Sequence, residues 1–215
     1  DLSGADLHDT NLKGGTAQRA NLSGASLRGT NLIRAHLWGA NLKGADLKGA
    51  DLFHVTLIRA DLSGADLSGV NSSRANLSGA DLSNASLSGA DLTGAKLVGA
   101  DLRNAKLFGV DLREADLYQA NLENAVLDGA DLRDTVMEDV NLNHASLKHA
   151  YIYKTILAET EFTNVDASYA NFCGQDLTKK IFHNTNLSGS NLAHTKMQYT
   201  YLGSAILDKT NFEES

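Results

Sequence analysis

The residues in this chain that could take part in chemistry are seven histidines, one cysteine and many serines and aspartates. His144 and His149 are five residues apart and could form part of a metal site. A zinc site needs at least three protein ligands, and no third ligand accompanies this pair. The motifs H-E-x-x-H and C-x-x-C and the Walker phosphate-binding loop are absent as well. We therefore predict solvated histidines and no metal or cofactor.

Serine recurs at one fixed spacing, and this regularity argues against a catalytic role. The recurring serines are Ser63, Ser68, Ser73, Ser78, Ser83 and Ser88. A nucleophilic serine needs a neighbouring base and a group that orients that base. A serine that returns every five residues indicates a structural position instead. We therefore predict that the protein is not an enzyme.

The element that positions all these side chains is a repeat of five residues. Leu occupies most of the positions 2, 7, 12 and onward to 212, and Met, Ile, Phe, Ala or Ser fill the others. The multiples of five carry small residues, with Gly15, Gln175 and Lys180 as exceptions. A helix repeats at 3.6 residues and a strand at 2, so a period of five requires a bend in every unit. All but two of the 19 glycines fall two residues after the Leu position, where a type II turn needs a positive φ.

These units predict a square coil of four pentapeptides, stacked so that neighbouring coils pair like parallel strands. The pattern resembles the pentapeptide-repeat family, whose consensus Ala-(Asp/Asn)-Leu-X-X appears here as "ADLSG", "ANLSG", "ADLKG" and "ANLKG". The resemblance covers the whole chain. It implies an all-β fold, a right-handed quadrilateral parallel β-helix of about 10–11 coils without internal insertions. Leu and Ala are expected to fill the tube.

The unbroken register predicts a single domain over residues 1–215, which could be a fragment of a longer chain because it begins with Asp1. No stretch of 18 or more apolar residues is present, so no transmembrane segment is expected. The single cysteine, Cys173, excludes an internal disulfide and favours the cytoplasm. The repeat pattern continues to both ends of the sequence without a recognisable capping segment. Members of the family that this chain resembles often dimerise through one end of the rod. A homodimer or end-to-end association is therefore expected.

Two consecutive small-residue positions carry long polar side chains, Gln175 and Lys180. Long polar side chains are rarely buried unpaired. We expect a local bulge with both side chains turned outward. The alternative is a binding irregularity at this point of the rod.

The second half of the chain contains a concentration of acidic residues that forms a candidate acidic face. Its members are Asp111, Glu114, Asp116, Glu123, Asp128, Asp131, Asp134, Glu138 and Asp139. Some family members protect or inhibit DNA gyrase by mimicking DNA. DNA carries one charge per 1.7 Å, so a rod of about 52 Å would need roughly 30 negative charges to match it. The chain has 26 acidic residues offset by 19 basic ones, which argues against close mimicry.

The first half of the chain contains a candidate partner patch. Residues 20 apart should stack, which places apolar side chains in two columns beside a basic one. The patch consists of Ile33, Trp38, Phe53, Ile58, Arg34, His54 and Arg74. Aromatic residues and arginine are typical of the centres of protein interfaces. The alternative is a set of ordinary surface apolar residues.

We therefore predict a non-catalytic rod that acts as a protein–protein interaction scaffold for an unidentified protein partner. The alternative is a DNA-mimicking modulator or protector of DNA gyrase or topoisomerase. Direct nucleic-acid binding is not expected because no basic groove dominates the sequence.

Overall fold

The computed structural model describes residues 1–215 and shows one continuous coil. Parallel β-bridges join residues 20 apart in sequence, from Asp6–Ser26 at one end to Asn191–Asn211 at the other. Each is a single-residue bridge between turns, and the chain has no helix and no strand of two or more residues. The predicted all-β class is therefore confirmed only in part, because columns of isolated bridges replace extended strands.

Four pentapeptides form each coil, so the rod has four sides. Side 1 holds residues 1–5, side 2 residues 6–10, side 3 residues 11–15 and side 4 residues 16–20, and each recurs every 20 residues. The third and fourth residues of each pentapeptide form the corner that leads to the next side. About 11 such coils stack at the spacing of parallel strands.

Every corner contains a left-handed residue, and every corner except the bend at Tyr153 and Lys154 is a turn. The φ angle at this position lies between 58° and 71° for glycine and between 53° and 61° for all other residues. The N–H of the following small residue closes the turn, as in the bond from Ala25 to the oxygen of Leu22 at 3.1 Å. The Asp or Asn before each Leu supports the turn: Oδ1 of Asp61 accepts the N–H of Ser63 at 2.9 Å.

Main-chain hydrogen bonds hold successive coils together. The N–H of Leu22 donates to the oxygen of Asn41 at 2.7 Å, and the N–H of Asn41 donates back to Ala20 at 2.9 Å. Inside this frame, Leu and small residues form one core of 60 buried residues that runs along the axis. The expected filling of the tube by Leu and Ala is confirmed.

The C-terminal part of the core is filled differently. Phe162 and Phe182 stack with ring centres 4.9 Å apart, and Phe172 meets Phe162 edge-on at 5.8 Å. Several small-residue positions carry threonine there. The hydroxyl of Thr155 donates to the oxygen of Leu132 in the preceding coil at 2.7 Å, so the buried hydroxyl is satisfied.

The expectation that Gln175 turns outward is wrong. Gln175 is 4% exposed, and its amide pairs with the main chain of Thr155 in the preceding coil. Oε1 accepts the N–H of Thr155 at 3.1 Å, and Nε2 donates to the oxygen of Thr155 at 2.7 Å. A side-chain amide has the same donor and acceptor as a peptide group. Nε2 therefore takes the place of the Asp176 N–H that would otherwise link the two coils, and Oε1 takes the place of the Ile152 oxygen that would close the turn before Thr155.

Lys180 also bonds to the main chain of the preceding coil, and it is half-buried rather than turned fully outward. Its Nζ donates to the oxygen of Leu157, and the oxygen of Thr160 lies 3.5 Å away. Burial lowers the pKa of Lys180, while the nearby carboxylates of Glu159, Glu161 and Asp176 oppose that shift. Gln175 and Lys180 lie where two parallel bridges are missing: those expected between residues 156 and 176 and between residues 161 and 181 are absent.

The N-terminal end of the tube contains a cavity of about 250 Å³ lined mainly by leucines. Ala17 stands there at a Leu position, and the shorter side chain leaves the space unfilled. No helix in the structure has the length and apolar character that crossing a membrane requires.

Candidate interaction surfaces

The histidines, the cysteine and the acidic residues do not come together in the structure as a group that could hold a metal ion. His144 and His149 lie exposed at neighbouring corners, and the ring of His149 stacks on that of Tyr169 at 5.1 Å. Cys173 is a free, half-buried thiol on side 3.

The repeated serines serve the turns. The hydroxyl of Ser63 donates to Asp61 at 2.6 Å, and that of Ser78 donates to Asn76 at 2.7 Å. The acceptors in these bonds belong to the Asp/Asn position of the same pentapeptide. The hydroxyls of Ser63, Ser73 and Ser78 therefore support their own turns, that of Ser68 bonds to Ser86, and none bonds to a histidine.

The candidate partner patch lies along side 4 and its two corners. Phe53 follows Ile33 by one coil at the corner between sides 3 and 4, and Ile58 follows Trp38 at the corner between sides 4 and 1. All four are half-buried. The guanidinium of Arg19 lies 4.5 Å from the centre of the Trp38 ring, and His54 meets Phe53 edge-on at 4.4 Å.

The remaining patch residues, Arg34, His54 and Arg74, are exposed in one column at the corner between sides 3 and 4. Each adopts the left-handed backbone conformation, with φ between 55° and 57°. The structure thus brings all seven predicted residues to one side of the rod. Their role as a contact surface stays a prediction.

Side 4 has a property that the sequence reasoning missed. The basic half of side 4, together with its corners, comprises residues 13–20, 33–40, 53–60, 73–80 and 93–100, and it contains no Asp or Glu. Its basic residues are Lys13, Arg19, Arg34, Arg59, Arg74 and Lys96, with His36 and His54 beside them. None of these side chains forms an ion pair within the chain. In a protein of net charge −7, this surface is uniformly cationic.

Glycines of the following coil make room for these arginines. A Cβ atom at Gly79 would lie 3.4 Å from Cγ of Arg59, and one at Gly94 would lie 3.7 Å from Cγ of Arg74. The arginine stems therefore lie along the rod over a surface without side chains. Their guanidinium groups remain available to a partner.

The predicted acidic face is wrong as a single face. Its nine residues span more than one coil, so they lie on all four sides: Glu123 on side 1, Asp128 on side 2, Asp111 on side 3 and Asp116 on side 4. They form an acidic band around the rod. The reason is geometric, because neighbours in sequence pass to a new side every five residues.

Part of this band is already neutralised. Arg113 pairs with Asp111 at 2.6 Å and Arg133 pairs with Asp131 at 2.5 Å, both on side 3. The hydrogen bond from Arg113 lowers the pKa of Asp111. Burial alone would raise the pKa of Asp131, but the hydrogen bonds from Arg133 lower it overall.

The acidic residues on side 4 are not neutralised in this way. The acidic half of side 4, again with its corners, comprises residues 113–120, 133–140 and 153–160. Its acidic members are Glu114, Asp116, Asp134, Glu138, Asp139 and Glu159. None of them forms an ion pair within the chain. Three exposed apolar side chains, Tyr118, Tyr153 and Ile156, lie among them, with exposed fractions of 38%, 43% and 51%.

Comparison with known families finds one match. A family model for pentapeptide repeats matches eight overlapping copies, at residues 1–39, 20–57, 30–69, 57–94, 85–124, 120–157, 155–192 and 185–215. No curated protein sequence matches the chain.

Several solved structures are similar. HetL, a pentapeptide repeat protein involved in heterocyst differentiation regulation from Nostoc sp. strain PCC 7120, shares 28% identity over 96% of this chain and 86% of its own, with a TM-score of 0.44. A second pentapeptide repeat protein from Nostoc PCC 7120 shares 39% identity over 48% of this chain and 84% of its own, with a TM-score of 0.42. QnrB1, a plasmid-mediated fluoroquinolone resistance protein, shares 20% identity over 89% of each chain, with a TM-score of 0.39.

Proposed function

Because the chain belongs to the pentapeptide repeat family, we propose that it is a non-catalytic rod that binds a protein partner along side 4. We infer that residues 1–215 form one domain with the right-handed quadrilateral coil implied by the family resemblance. In such a rod the core is used for folding, and the outward residues carry the function.

The observation that carries this proposal is the composition of side 4. Its basic half combines Trp38, Phe53 and Ile58 with arginines that have no acidic partner in the chain. Aromatic residues and arginine dominate the binding energy of protein interfaces. Unpaired arginines add recognition of carboxylates, because a guanidinium can donate two parallel hydrogen bonds to one.

A catalytic function has less support. One open cleft on the outside of the rod is lined by polar residues, and its His8 and Arg28 pair with the carboxylates of Asp6 and Asp46. No nucleophile lies beside a base that a third group orients.

A DNA-mimicking modulator of DNA gyrase or topoisomerase is the second candidate. Mimicry requires a continuous array of negative charge on the surface that meets the enzyme. The acidic band surrounds the rod instead, and arginines neutralise Asp111 and Asp131. The charge pattern therefore favours the scaffold.

Site-specific photo-crosslinking tests the use of side 4. A benzophenone amino acid replaces Trp38, and the matched control replaces Ser88, which occupies the same corner position on the diagonally opposite edge of the rod. The protein is expressed in its source cells and irradiated. We expect a protein adduct from position 38 and none from position 88. Equal labelling at both positions, or none at either, would refute the proposal.

A further inference from the structure

We infer that the partner of side 4 is a second copy of this chain, bound antiparallel so that the basic half of one rod covers the acidic half of the other. The inference rests on the proposed use of side 4 as a contact surface. It adds the partner's identity, the orientation and the register.

The first argument is that the two halves of side 4 have opposite charge and meet near the middle of the rod. Residues 13–100 of this side carry six Lys or Arg and no acidic residue, whereas residues 113–160 carry six acidic residues and three basic ones. Two of these three, Arg113 and Arg133, are engaged with aspartates on side 3. A surface of this kind is complementary to its own inverted copy.

Two-fold symmetry then fixes which residues meet. An isologous dimer of antiparallel rods has its axis in the interface, perpendicular to both rods. Each corner column faces the same corner column of the partner, with the order of coils reversed. If residues 93–100 face residues 113–120 of the second copy, the three acidic coils face the three basic coils nearest the middle of the rod, and residues 13–20 and 33–40 face residues 193–200 and 173–180.

This register pairs opposite charges in all three columns of side 4. Arg74 meets Asp134 at one corner, Lys96 meets Asp116 in the middle, and Arg59 meets Glu159 at the other corner. These six residues form no ion pair within their own chain. Symmetry makes each of these pairs occur twice.

The same register also matches apolar side chains. Phe53 meets Tyr153, which is 43% exposed in the single chain, and Val98 meets Tyr118, which is 38% exposed. Aromatic pairs add to the energy of area burial when their rings stack with an offset or meet edge-on. Each corner thus combines an apolar contact with an opposite-charge pair.

Shifting the register by one coil in either direction introduces repulsion. A shift that places residues 93–100 opposite the same residues of the second copy brings Lys96 opposite Lys96 and Arg34 opposite Lys154. A shift that places residues 113–120 opposite the same residues of the second copy brings Asp116 opposite Asp116 and Arg74 opposite Lys154. Like charges placed opposite each other suppress wrong partners, so both shifts are disfavoured relative to the central register.

The available area is sufficient for a specific dimer. Ten paired coils give a contact about 48 Å long, and a side with its corners is roughly 12 Å wide. The contact then buries roughly 600 Å² per copy and about 1,200 Å² in total, at the lower limit of standard interfaces. A contact of this size and charge should form reversibly and weaken with salt.

Charge reversal combined with sedimentation velocity tests the inference. Four proteins are compared at concentrations up to about 100 µM: the wild type, Arg74→Asp, Asp134→Arg and the double variant. Both positions have a left-handed backbone, with φ of 57° and 58°, which Asp and Arg both adopt elsewhere in this chain. Lys48→Asp, at an exposed and unpaired position on side 2, is the matched control.

We expect the wild type and Lys48→Asp to dimerise. Each single reversal should weaken the dimer on the order of 100-fold, because symmetry places the repulsion twice in the interface. The double variant should recover to within about tenfold of the wild type. Recovery depends on direct contact between positions 74 and 134, so a misfolded single variant could not imitate it.

A wild type that stays monomeric at about 100 µM would overturn the inference. So would a double variant that remains as weak as the singles. If the chain is monomeric while position 38 crosslinks to a different protein, the second-copy inference fails and the scaffold proposal stands. If neither position 38 nor sedimentation reveals any partner, the scaffold proposal fails as well.

Discussion

Replacing Gln175 by alanine tests whether a side-chain amide links two coils of the rod. Alanine is the usual residue at this position of the repeat, so the change moves the sequence toward its own consensus. The structure nevertheless predicts a loss of stability. The amide of Gln175 holds both the N–H and the oxygen of Thr155, and Thr155 is only 3% exposed.

The magnitude follows from the two groups that lose their partners. A buried donor or acceptor left unsatisfied costs about 1–3 kcal/mol. Two such groups, relieved in part by water that enters the space, give a decrease of about 3 kcal/mol in the free energy of unfolding. Gln198→Ala, which removes an exposed amide in the next coil, is the control and should cost less than about 0.5 kcal/mol.

Hydrogen exchange of the Thr155 amide is the most direct assay, because coils of a solenoid can open independently. A local loss of about 3 kcal/mol corresponds to exchange faster on the order of 100-fold. Urea unfolding followed by circular dichroism gives the global value. The variant Gln175→Ala could instead be as stable as the wild type, with the Thr155 amide equally protected from exchange. Ordinary main-chain bonds would then have formed between the two coils. That result would refute the role assigned to the amide.

Three further predictions concern the turns, pH and the alternative function. His144→Gly should raise the free energy of unfolding, measured by urea titration, by about 0.5 kcal/mol, because His144 has a φ of 60° and glycine adopts this angle without strain. The control Glu123→Gly, at an ordinary φ, should lower the free energy of unfolding in the same titration. Asp111→Asn should destabilise the protein at pH 7 but not below the folded pKa of Asp111. The hydrogen bond from Arg113 lowers this pKa, so the stabilisation is present above the unfolded value of 3.8 and is lost as pH falls through the folded value. A difference in stability that does not shrink as the pH is lowered into the acid range would contradict this. The purified protein should leave DNA gyrase supercoiling unchanged, with or without a quinolone; inhibition or protection that Asp128→Asn abolishes would instead favour the DNA mimic.

The fold was predictable because the period of five allows few backbone solutions. The Leu positions, the small residues at multiples of five and the glycines at the turns all agree with one coil. The sequence did not predict that residues as large as Tyr169 would occupy the left-handed turn position, where its φ is 59°. The stacked coils hold the backbone there from both neighbours, so tertiary structure outweighs the local preference for glycine.

The errors have two physical causes. Gln175 was expected outside because the rule about buried polar residues treats an amide as unpaired, whereas here it duplicates the peptide group of a neighbouring coil. The acidic face was expected because Asp111, Glu123 and Asp128 are close in sequence, yet the chain turns a corner every five residues. For the same reason, the net charge summed over the first half of the chain does not reveal the cationic part of side 4. The acidic residues on the other three sides cancel it in the sum.

The four-sided coil also determines which insertions and deletions such a gene can tolerate. Removal or duplication of 20 residues changes the length of the rod and leaves every later residue on its original side. Removal of a single pentapeptide keeps the core intact, yet it turns all that follows by a quarter of a revolution. Trp38 and the later residues of side 4 would then lie on different edges of the molecule. Evolution and protein engineering can therefore alter this rod in two independent ways, by lengthening it in whole coils or by rotating one portion against the other.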